Sequence, residues 1–384
     1  MKPRLYFSTF IAFIFSLNIS AQDVPEKKSP LTFEASYTGD VARNFSGGIK
    51  KGSSYLGLAN FKLSFDTEKA HLWKGGQLFI NAANAHGGDP SAVLIGDFHT
   101  VSNIEADEIT YIHELWYKQT LNQFEIIAGL QDLNTDFVSS EYGSMFINST
   151  FGTPSTIADN VPSPIFPFTT IGISLKWDIS ENNKWKIALF DGLPTELERN
   201  PYNLNWNFYK DEGVFAVTEY QYKSLFQNNL SGSYRAGVYY HSQLIETDPE
   251  NIKTKLFNSN YGIYLIADQM IYKKPGATGG FGIFAQFALS PKSINTHYRY
   301  LGLGFSYQGL ISRREEDKLG VAVTNAGFYD ESKKDETIIE ISYKAQLTDN
   351  FYIQPDFQYV INPEGTEQKL ENAIVGFIRF GFNF

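Results

Sequence analysis

Residues 372–384, NAIVGFIRFGFNF, carry the pattern that decides the fold of this chain. Apolar residues stand at alternate positions as far as the terminal Phe384, and polar or small residues such as Arg379 and Asn383 stand between them. Because successive side chains of a β-strand point to opposite faces, the segment predicts a strand with one apolar and one polar face.

The same alternation recurs along most of the chain, for example in residues 350–361, 337–346 and 171–178. We count about sixteen candidate strands, the first starting at Thr32 and the last at Asn372. A polar second face fits either a water-soluble sandwich or a membrane barrel with a wet lumen.

The linkers favour the barrel, because short turns such as residues 179–183 alternate with long connections such as residues 131–167. The prediction is an all-β fold, a single closed antiparallel transmembrane β-barrel of about 16 strands.

Composition excludes several functions. The chain has 384 residues, no Cys and a net charge of −10. An acidic chain lacks the basic surface that nucleic-acid binding needs, so no nucleic-acid partner is expected. The absence of Cys excludes disulfides and thiolate catalysis. Aromatic residues make up 16% of the chain, and they favour strands.

Both ends of the chain carry targeting signals. Lys2 and Arg4 precede an apolar run over residues 5–19 and small residues up to Ala21, which predicts a signal peptide over residues 1–21. Residues 22–31 are then a flexible lead-in, and residues 32–384 form the barrel domain. The terminal Phe384 resembles the signal that barrel-assembly machinery recognises. The expected location is the bacterial outer membrane, with its lipid as a partner.

Alternation assigns charges of both signs and several aromatic rings to the inner face. Such a wall offers hydrogen bonds to neutral, hydroxyl-rich solutes, and aromatic faces suit pyranose rings. Mixed charges that only solvate and rigidify the wall are the simpler alternative. By this assignment the predicted pore-lining residues are Glu114, Trp116, Lys118, Glu219, Arg235, Asp268, Glu340, Lys344, Asp356 and Arg379.

Several longer segments, in the expected order, carry a resemblance to a known family. They include residues 336–365, ETIIEISYKAQLTDNFYIQPDFQYVINPEG, and residues 129–152, GLQDLNTDFVSSEYGSMFINSTFG. Shorter ones are ELWYKQ from Glu114 and YGIYLIADQMIY from Tyr261. Together they resemble the carbohydrate-selective porin family of the OprB type over essentially the whole mature chain.

The resemblance implies a sixteen-stranded outer-membrane barrel that admits monosaccharides and similar small neutral solutes by diffusion. It also implies a lumen narrowed by inward-folded loops and charged residues. The acids that match by motif position are Glu114, Glu141, Asp268, Glu340 and Asp356. Gln131 departs from the family pattern, which often has a Lys-Phe-Asp start at this point.

Other functions remain as alternatives. A general, non-selective diffusion porin is the nearest of them, and an adhesin or a lipid-directed barrel enzyme is further away. Alternation places His113 and Glu114 on opposite faces, and no nucleophile motif accompanies them, so no enzyme is predicted.

No cofactor or metal site is predicted either. Asp132, Asn134 and Asp136 mimic the start of a calcium loop, but Phe137 and Gly143 stand where that loop needs Gly and Glu. A polar loop folded into the pore is the first interpretation of this stretch, and cation binding is the alternative.

Overall fold

The computed structural model describes residues 29–194, 200–206, 213–226, 230–242, 259–274, 279–330 and 332–384. The predicted signal peptide at residues 1–21 and most of the lead-in lie outside these residues. Sixteen strands of 8 to 16 residues make up the described fold. They are β1 (Leu31–Ser46), β2 (Gly52–Asp66), β3 (Gly76–Gly87), β4 (Ile109–Leu121), β5 (Phe124–Gln131), β6 (Thr170–Asp178), β7 (Asn183–Asp191), β8 (Val214–Phe226), β9 (Leu230–His241), β10 (Asn260–Lys273), β11 (Gly280–Leu289), β12 (His297–Gln308), β13 (Lys318–Phe328), β14 (Glu336–Thr348), β15 (Phe351–Ile361) and β16 (Ala373–Asn383).

The strands form one closed barrel. Each strand pairs antiparallel with its neighbours in sequence, and β1 closes the ring on β16, where Tyr37 faces Phe382 and Val41 faces Ile378. Closure leaves no strand edge unpaired, which is the condition for a sheet surrounded by lipid. The predicted barrel and strand number are confirmed.

Alternation separates the two faces of the wall as predicted. In β16 the side chain of Ile378 is 48% exposed on the outer face, whereas Phe377 and Arg379 are 2% and 7% exposed on the inner face. Large apolar residues such as Phe33, Leu265 and Leu303 are also exposed on the outer face. The outer wall is therefore apolar although no other described part of the protein covers it, which is the arrangement expected of a wall that faces lipid.

The two rims differ in their connections. One rim carries both ends of the described chain and short turns such as residues 122–123, 179–182 and 349–350. The other rim carries longer connections, among them residues 88–108, 132–169 and 362–372. In outer-membrane barrels the short turns are periplasmic and the long loops extracellular, which orients the barrel.

Two of the long connections fold into the barrel. We call residues 88–108, between β3 and β4, the first inward loop, and residues 132–169, between β5 and β6, the second inward loop. Their helical turns are Ser91–Ile95, Leu133–Thr135, Gly143–Met145, Ser149–Phe151 and α1 (Ser155–Ala158). No helix in the described part of the chain is long and apolar enough to cross a membrane.

The inward loops give the barrel an internal apolar core. Phe146 and Phe151 of the second inward loop pack against Phe284 of β11, with ring centroids 5.8 and 5.7 Å away. Leu94 and Ile95 of the first inward loop pack with Val375 and Phe377 of β16. Inner-face apolar residues therefore hold the loops by excluding water, and they are not part of an open channel.

Candidate functional site

Three wall carboxylates hold the second inward loop by its backbone. Glu340 accepts hydrogen bonds from the backbone N–H groups of Ile147, at 2.6 Å, and Asn148, at 3.1 Å. Asp268 accepts from the Tyr142 N–H at 3.1 Å. Glu219 accepts from the Val138 N–H at 3.0 Å. A buried backbone N–H is costly to leave without an acceptor, so these contacts fix the loop against β8, β10 and β14.

Neutral donors on the strands between these acids complete the attachment. The Tyr300 hydroxyl donates to the Thr150 carbonyl at 2.7 Å, and the Gln286 amide donates to the Phe151 carbonyl at 2.9 Å. Further along, the Tyr239 hydroxyl donates to the Thr156 carbonyl at 2.8 Å. Because the buried carbonyls of the loop would otherwise lack partners, these side chains satisfy its backbone.

The first inward loop has a similar anchor on β14 to β16. Glu336 accepts from the backbone N–H groups of Phe98 and His99, at 2.8 and 3.0 Å. Arg379 forms a two-pronged ion pair with Asp40 at 2.7 and 2.8 Å, and its guanidinium also donates to Asn103 of the loop. The loops together therefore cover the inner face of β8 to β16 and of β1.

The predicted pore-lining residues consequently fall into two groups. Some lie beneath the loops or bind them, so their exposure to a passing solute is small. These are Glu114, Glu219, Arg235, Asp268, Glu340, Asp356 and Arg379. The others are Trp116, Lys118, Glu141 and Lys344, of which Glu141 is exposed on the second inward loop and Lys344 is half-buried near the periplasmic end of β14.

Partly exposed inner-face side chains cluster on neighbouring strands of the opposite wall. They are Lys62, Phe79, Trp116, Lys118, Glu125 and Lys176, on β2 to β6. We infer that the open part of the lumen runs along this wall. Most of its charges are paired: Lys176 bridges Glu125 at 2.7 Å and Asp136 at 2.5 Å, and Lys118 lies 3.4 Å from Glu125. Lys62 has no described carboxylate within 4.0 Å.

An aromatic platform stands on this open wall. The rings of Phe79 and Trp116 are stacked with their centroids 4.7 Å apart. The Trp116 indole N–H donates to Glu114 at 3.2 Å, and the Lys118 ammonium lies 5.9 Å from the Trp116 ring. Asn81 sits between Phe79 and the loops on the same face of β3. The arrangement combines a flat apolar surface with a carboxylate, an amide and an ammonium group at its edge.

A β-bulge next to the platform corrects the predicted facing of His113. The register of β3 and β4 shifts between Asn81 and Ala82, so that Asn81 pairs with Glu114 and Ala82 with Ile112. His113 and Glu114 are both 6% exposed and both lie on the inner side. The prediction that they point to opposite faces is wrong, because the extra residue of a bulge interrupts alternation.

The His113 ring is used to hold the start of the second inward loop. Its two nitrogens lie 3.0 Å from an Asp132 carboxylate oxygen and 3.1 Å from the Tyr111 hydroxyl. The Asp132 side chain also accepts from the Asn134 N–H at 2.7 Å, and Asp136 is paired with Lys176. The oxygens that mimic a calcium loop therefore have separate protein partners. Within the described ranges, no group of three or more His, Asp or Glu residues is placed to hold a metal ion.

A cavity of about 750 Å³ lies between the two inward loops and the residues that follow β7. Phe98, Phe166 and Phe168 supply its aromatic surface, and Asn103 and Asn134 supply amides. Its volume is within the usual range for small-molecule sites.

Two acids of the first inward loop lie in or beside this cavity. Burial and a hydrogen bond with Asp89 raise the pKa of Glu105 to about 10, and burial together with the charge of Glu336 raises the pKa of Asp97 to about 8. Both carboxyl groups are therefore largely protonated at pH 7, when they can donate hydrogen bonds as well as accept them.

Sequence reasoning missed several of these residues. Phe79 has the inward parity of β3, so alternation could have identified it beside Trp116. Phe98, Glu105 and Phe166 lie in loops, where no periodicity indicates a direction.

Comparisons with known proteins agree with this architecture. The model of the family described as "Carbohydrate-selective porin, OprB family" matches residues 50–384. Porin B of Pseudomonas aeruginosa is 22% identical over 90% of this chain and 86% of its own length. The putative porin QuiX of Acinetobacter baylyi is 20% identical over 93% of this chain and 90% of its own. The high-pH structure of Pseudomonas putida OprB superimposes with a TM-score of 0.82 at 20% identity, over 92% of this chain and 94% of that one.

Proposed function

The chain belongs to the carbohydrate-selective porin family of the OprB type, and on that premise we propose how its channel selects and passes a sugar. It is an outer-membrane porin, a channel rather than an enzyme. The proposed solutes are monosaccharides and similar small neutral molecules, which move into the periplasm by passive diffusion along the open wall of β2 to β6.

The observation that carries the proposal is the platform of Phe79 and Trp116 beside Glu114. The carbon-bound hydrogens of a pyranose present an apolar face, and an aromatic ring of similar size offers a matching surface. The ring hydroxyls then need hydrogen-bond partners in the plane around that surface. The partly exposed Lys62 and Lys118 supply donors and Glu125 supplies acceptors, whereas the buried Glu114 and Asn81 support the edge of the platform.

Neutral solutes are favoured by the charge pairing of this wall. Lys118, Lys176, Glu125 and Asp136 lie within one connected network, and Lys62 adds a single positive charge outside it, so no ring of one sign surrounds the platform. Strong ion selectivity uses rings of like charge. Paired charges instead form a polar surface to which an uncharged, hydroxyl-rich molecule can hydrogen-bond.

The predicted residues beneath the loops have a different proposed role. Glu219, Asp268 and Glu340 act as positioning residues, because their contacts go to the backbone of the second inward loop. Asp356 and Arg379 support the same wall from β15 and β16. They set the width of the open channel through the loops, whereas Trp116 and Lys118 contact the solute and the buried Glu114 orients the Trp116 indole.

The biogenesis of the barrel is also a proposal. Residues 1–21 would be removed on export after Ala21, and the exposed terminal Phe384 would be recognised by the assembly machinery. N-terminal sequencing of the mature protein tests the cleavage site. Deletion of Phe384 should lower the amount of folded barrel in the outer membrane without altering the conductance of the barrels that do assemble.

Flux into liposomes tests sugar selection against the alternative of a general diffusion porin. Glucose should enter faster than neutral, non-sugar polyols and charged solutes of similar size, and it should reduce the ion current through single channels. Equal flux for size-matched sugars and ions, with no sugar effect on current, would support the general porin and contradict the proposed selection.

A further inference from the structure

We propose that Lys318 and Lys344 form an anion subsite at the periplasmic end of the lumen, which takes an oxyanion group of a small solute. The chemical class is the carboxylate of a sugar acid or a free phosphate. The inference rests on the proposed function only in that a solute must reach the periplasmic half of the channel.

The register of the wall brings the two lysines together. Lys318 opens β13 and pairs directly with Lys344 of β14. Lys344 shares the inner face with Glu340 and Ser342, and Lys318 shares it with Ala322 and Thr324, all of which are buried. Directly paired residues have Cβ atoms about 5 Å apart, so both ammonium groups can reach one oxyanion.

Neither lysine is neutralised within the described part of the chain. Inner-face cations such as Lys118, Lys176 and Lys186 each have a carboxylate within 4.0 Å. No described carboxylate lies within that distance of Lys318 or Lys344. The same is true of Lys62 on β2 and Lys223 on β8, but neither of these is paired with a second lysine. Like charges directly opposite each other in a sheet destabilise it, so a bound anion would relieve a cost that the fold carries.

The nearest acids are committed elsewhere. Asp317, the residue before Lys318, receives hydrogen bonds from Arg314 at 2.7 Å, from the Gln346 N–H at 3.0 Å and from Tyr343. Asp356 is buried and accepts from Gln358. The charge of Arg379 is balanced by Asp40. Glu316, two residues before Lys318, accepts from Gln308 of β12 at 3.2 Å and is not within 4.0 Å of either ammonium group. Neither lysine therefore forms an ion pair with a described carboxylate.

The position of Lys344 is fixed by an aromatic ring. Its ammonium nitrogen lies 3.8 Å from the ring centroid of Tyr352 on the neighbouring strand β15. A cation held over a ring keeps its remaining N–H donors free on the side away from the ring. The second inward loop lies just above, since Met145 packs over Gly320 two residues from Lys318. The subsite thus lies below the loop, toward the periplasm.

The test compares gluconate, which is glucose with a carboxylate, with glucose and inorganic phosphate as blockers of single-channel KCl current from the periplasmic side. Two ammonium groups about 5 Å from an oxyanion in water-like surroundings account for roughly a tenfold difference in affinity at low salt. Lys318→Gln with Lys344→Gln should therefore weaken anion block about tenfold, and Lys318→Arg with Lys344→Arg should largely preserve it.

A matched control removes the same charge at the other rim. Lys333→Gln with Lys334→Gln changes two lysines of the β13–β14 connection and should leave anion block unchanged. A stronger lysine-dependent block by gluconate assigns the site to sugar acids, and a stronger one by phosphate assigns it to free phosphate. Anion block that is absent, or equal in the Lys318/Lys344 and control variants, overturns the subsite. Glucose flux in the same liposomes reports separately on the porin, because it does not depend on these lysines.

Discussion

The attachment of the second inward loop to Glu340 can be tested with one substitution that preserves the shape of the side chain. Glu340→Gln keeps the size of the side chain but replaces one carboxylate oxygen with an NH₂ group, which cannot accept from a backbone N–H. One of the two hydrogen bonds, from Ile147 at 2.6 Å or Asn148 at 3.1 Å, must then be lost. The amide oxygen alone then remains as an acceptor for these two N–H groups.

The size of the effect follows from these contacts. Leaving a buried backbone N–H without its acceptor costs about 2 kcal/mol, which corresponds to a roughly thirtyfold change in the ratio of docked to undocked loop. The other anchors, including Asp268 and Tyr300, keep the loop inside the barrel. We therefore expect more frequent excursions of the loop segment around Ile147, with larger and noisier single-channel conductance and faster entry of disaccharides relative to monosaccharides.

Planar-bilayer recording and liposome flux measure both quantities. Glu141→Gln is the matched control, because it makes the same substitution at an exposed site on the same loop, where Glu141 has no ion pair in the described structure. If Glu340→Gln and Glu141→Gln give the same conductance, noise and disaccharide entry, the claim that Glu340 holds the loop is refuted.

Two further predictions concern the loops. The pKa of Asp97 is raised to about 8 in the docked first inward loop, whereas the free carboxyl loses its proton near pH 4. Docking of the loop should therefore weaken as pH rises from about 4 to about 8, and the channel conductance should rise over the same range. Glu105 of the same loop, with its pKa raised to about 10, adds a dependence of the same sign, so Asp97→Asn should reduce the slope between about pH 5 and pH 9 and Asp97→Asn with Glu105→Gln should remove it. Gly282→Ala would place a methyl group 2.1 Å from the Tyr142 ring, so the loop around Tyr142 must shift. Such overpacking costs about 1–3 kcal/mol, and it should lower the thermal stability of the purified barrel and increase channel noise.

The strand pattern was readable from the sequence because the two faces of each strand meet different surroundings. Lipid on one side and loops or water on the other require alternation, which is why residues 372–384 and the first predicted start, Thr32, agree with the observed strands to within one residue. The bulge at His113 was not readable, since an inserted residue leaves no mark in composition. It reversed the facing of His113 relative to Glu114.

Only part of the site could be predicted from the sequence, for a related reason. Parity correctly placed Glu219, Asp268 and Glu340 on the inner face, but parity does not state what covers that face. Their partners are backbone N–H groups of a loop as far as 193 residues away in the chain, and every residue has such a group. Trp116 was identified by parity alone, whereas its stacking partner Phe79 depends on the pairing register of β3 and β4.

The central claim is that sugars cross along the open wall and contact the platform of Phe79 and Trp116. The most direct measurement is the concentration of glucose that half-blocks the single-channel current in Trp116→Ala and in Trp185→Ala, whose indole is 46% exposed on the outer face of β7. Aromatic contact of about 1 kcal/mol predicts a roughly fivefold higher half-blocking concentration for Trp116→Ala and no change for Trp185→Ala. Equal half-blocking concentrations in Trp116→Ala and the unmodified protein would contradict the account.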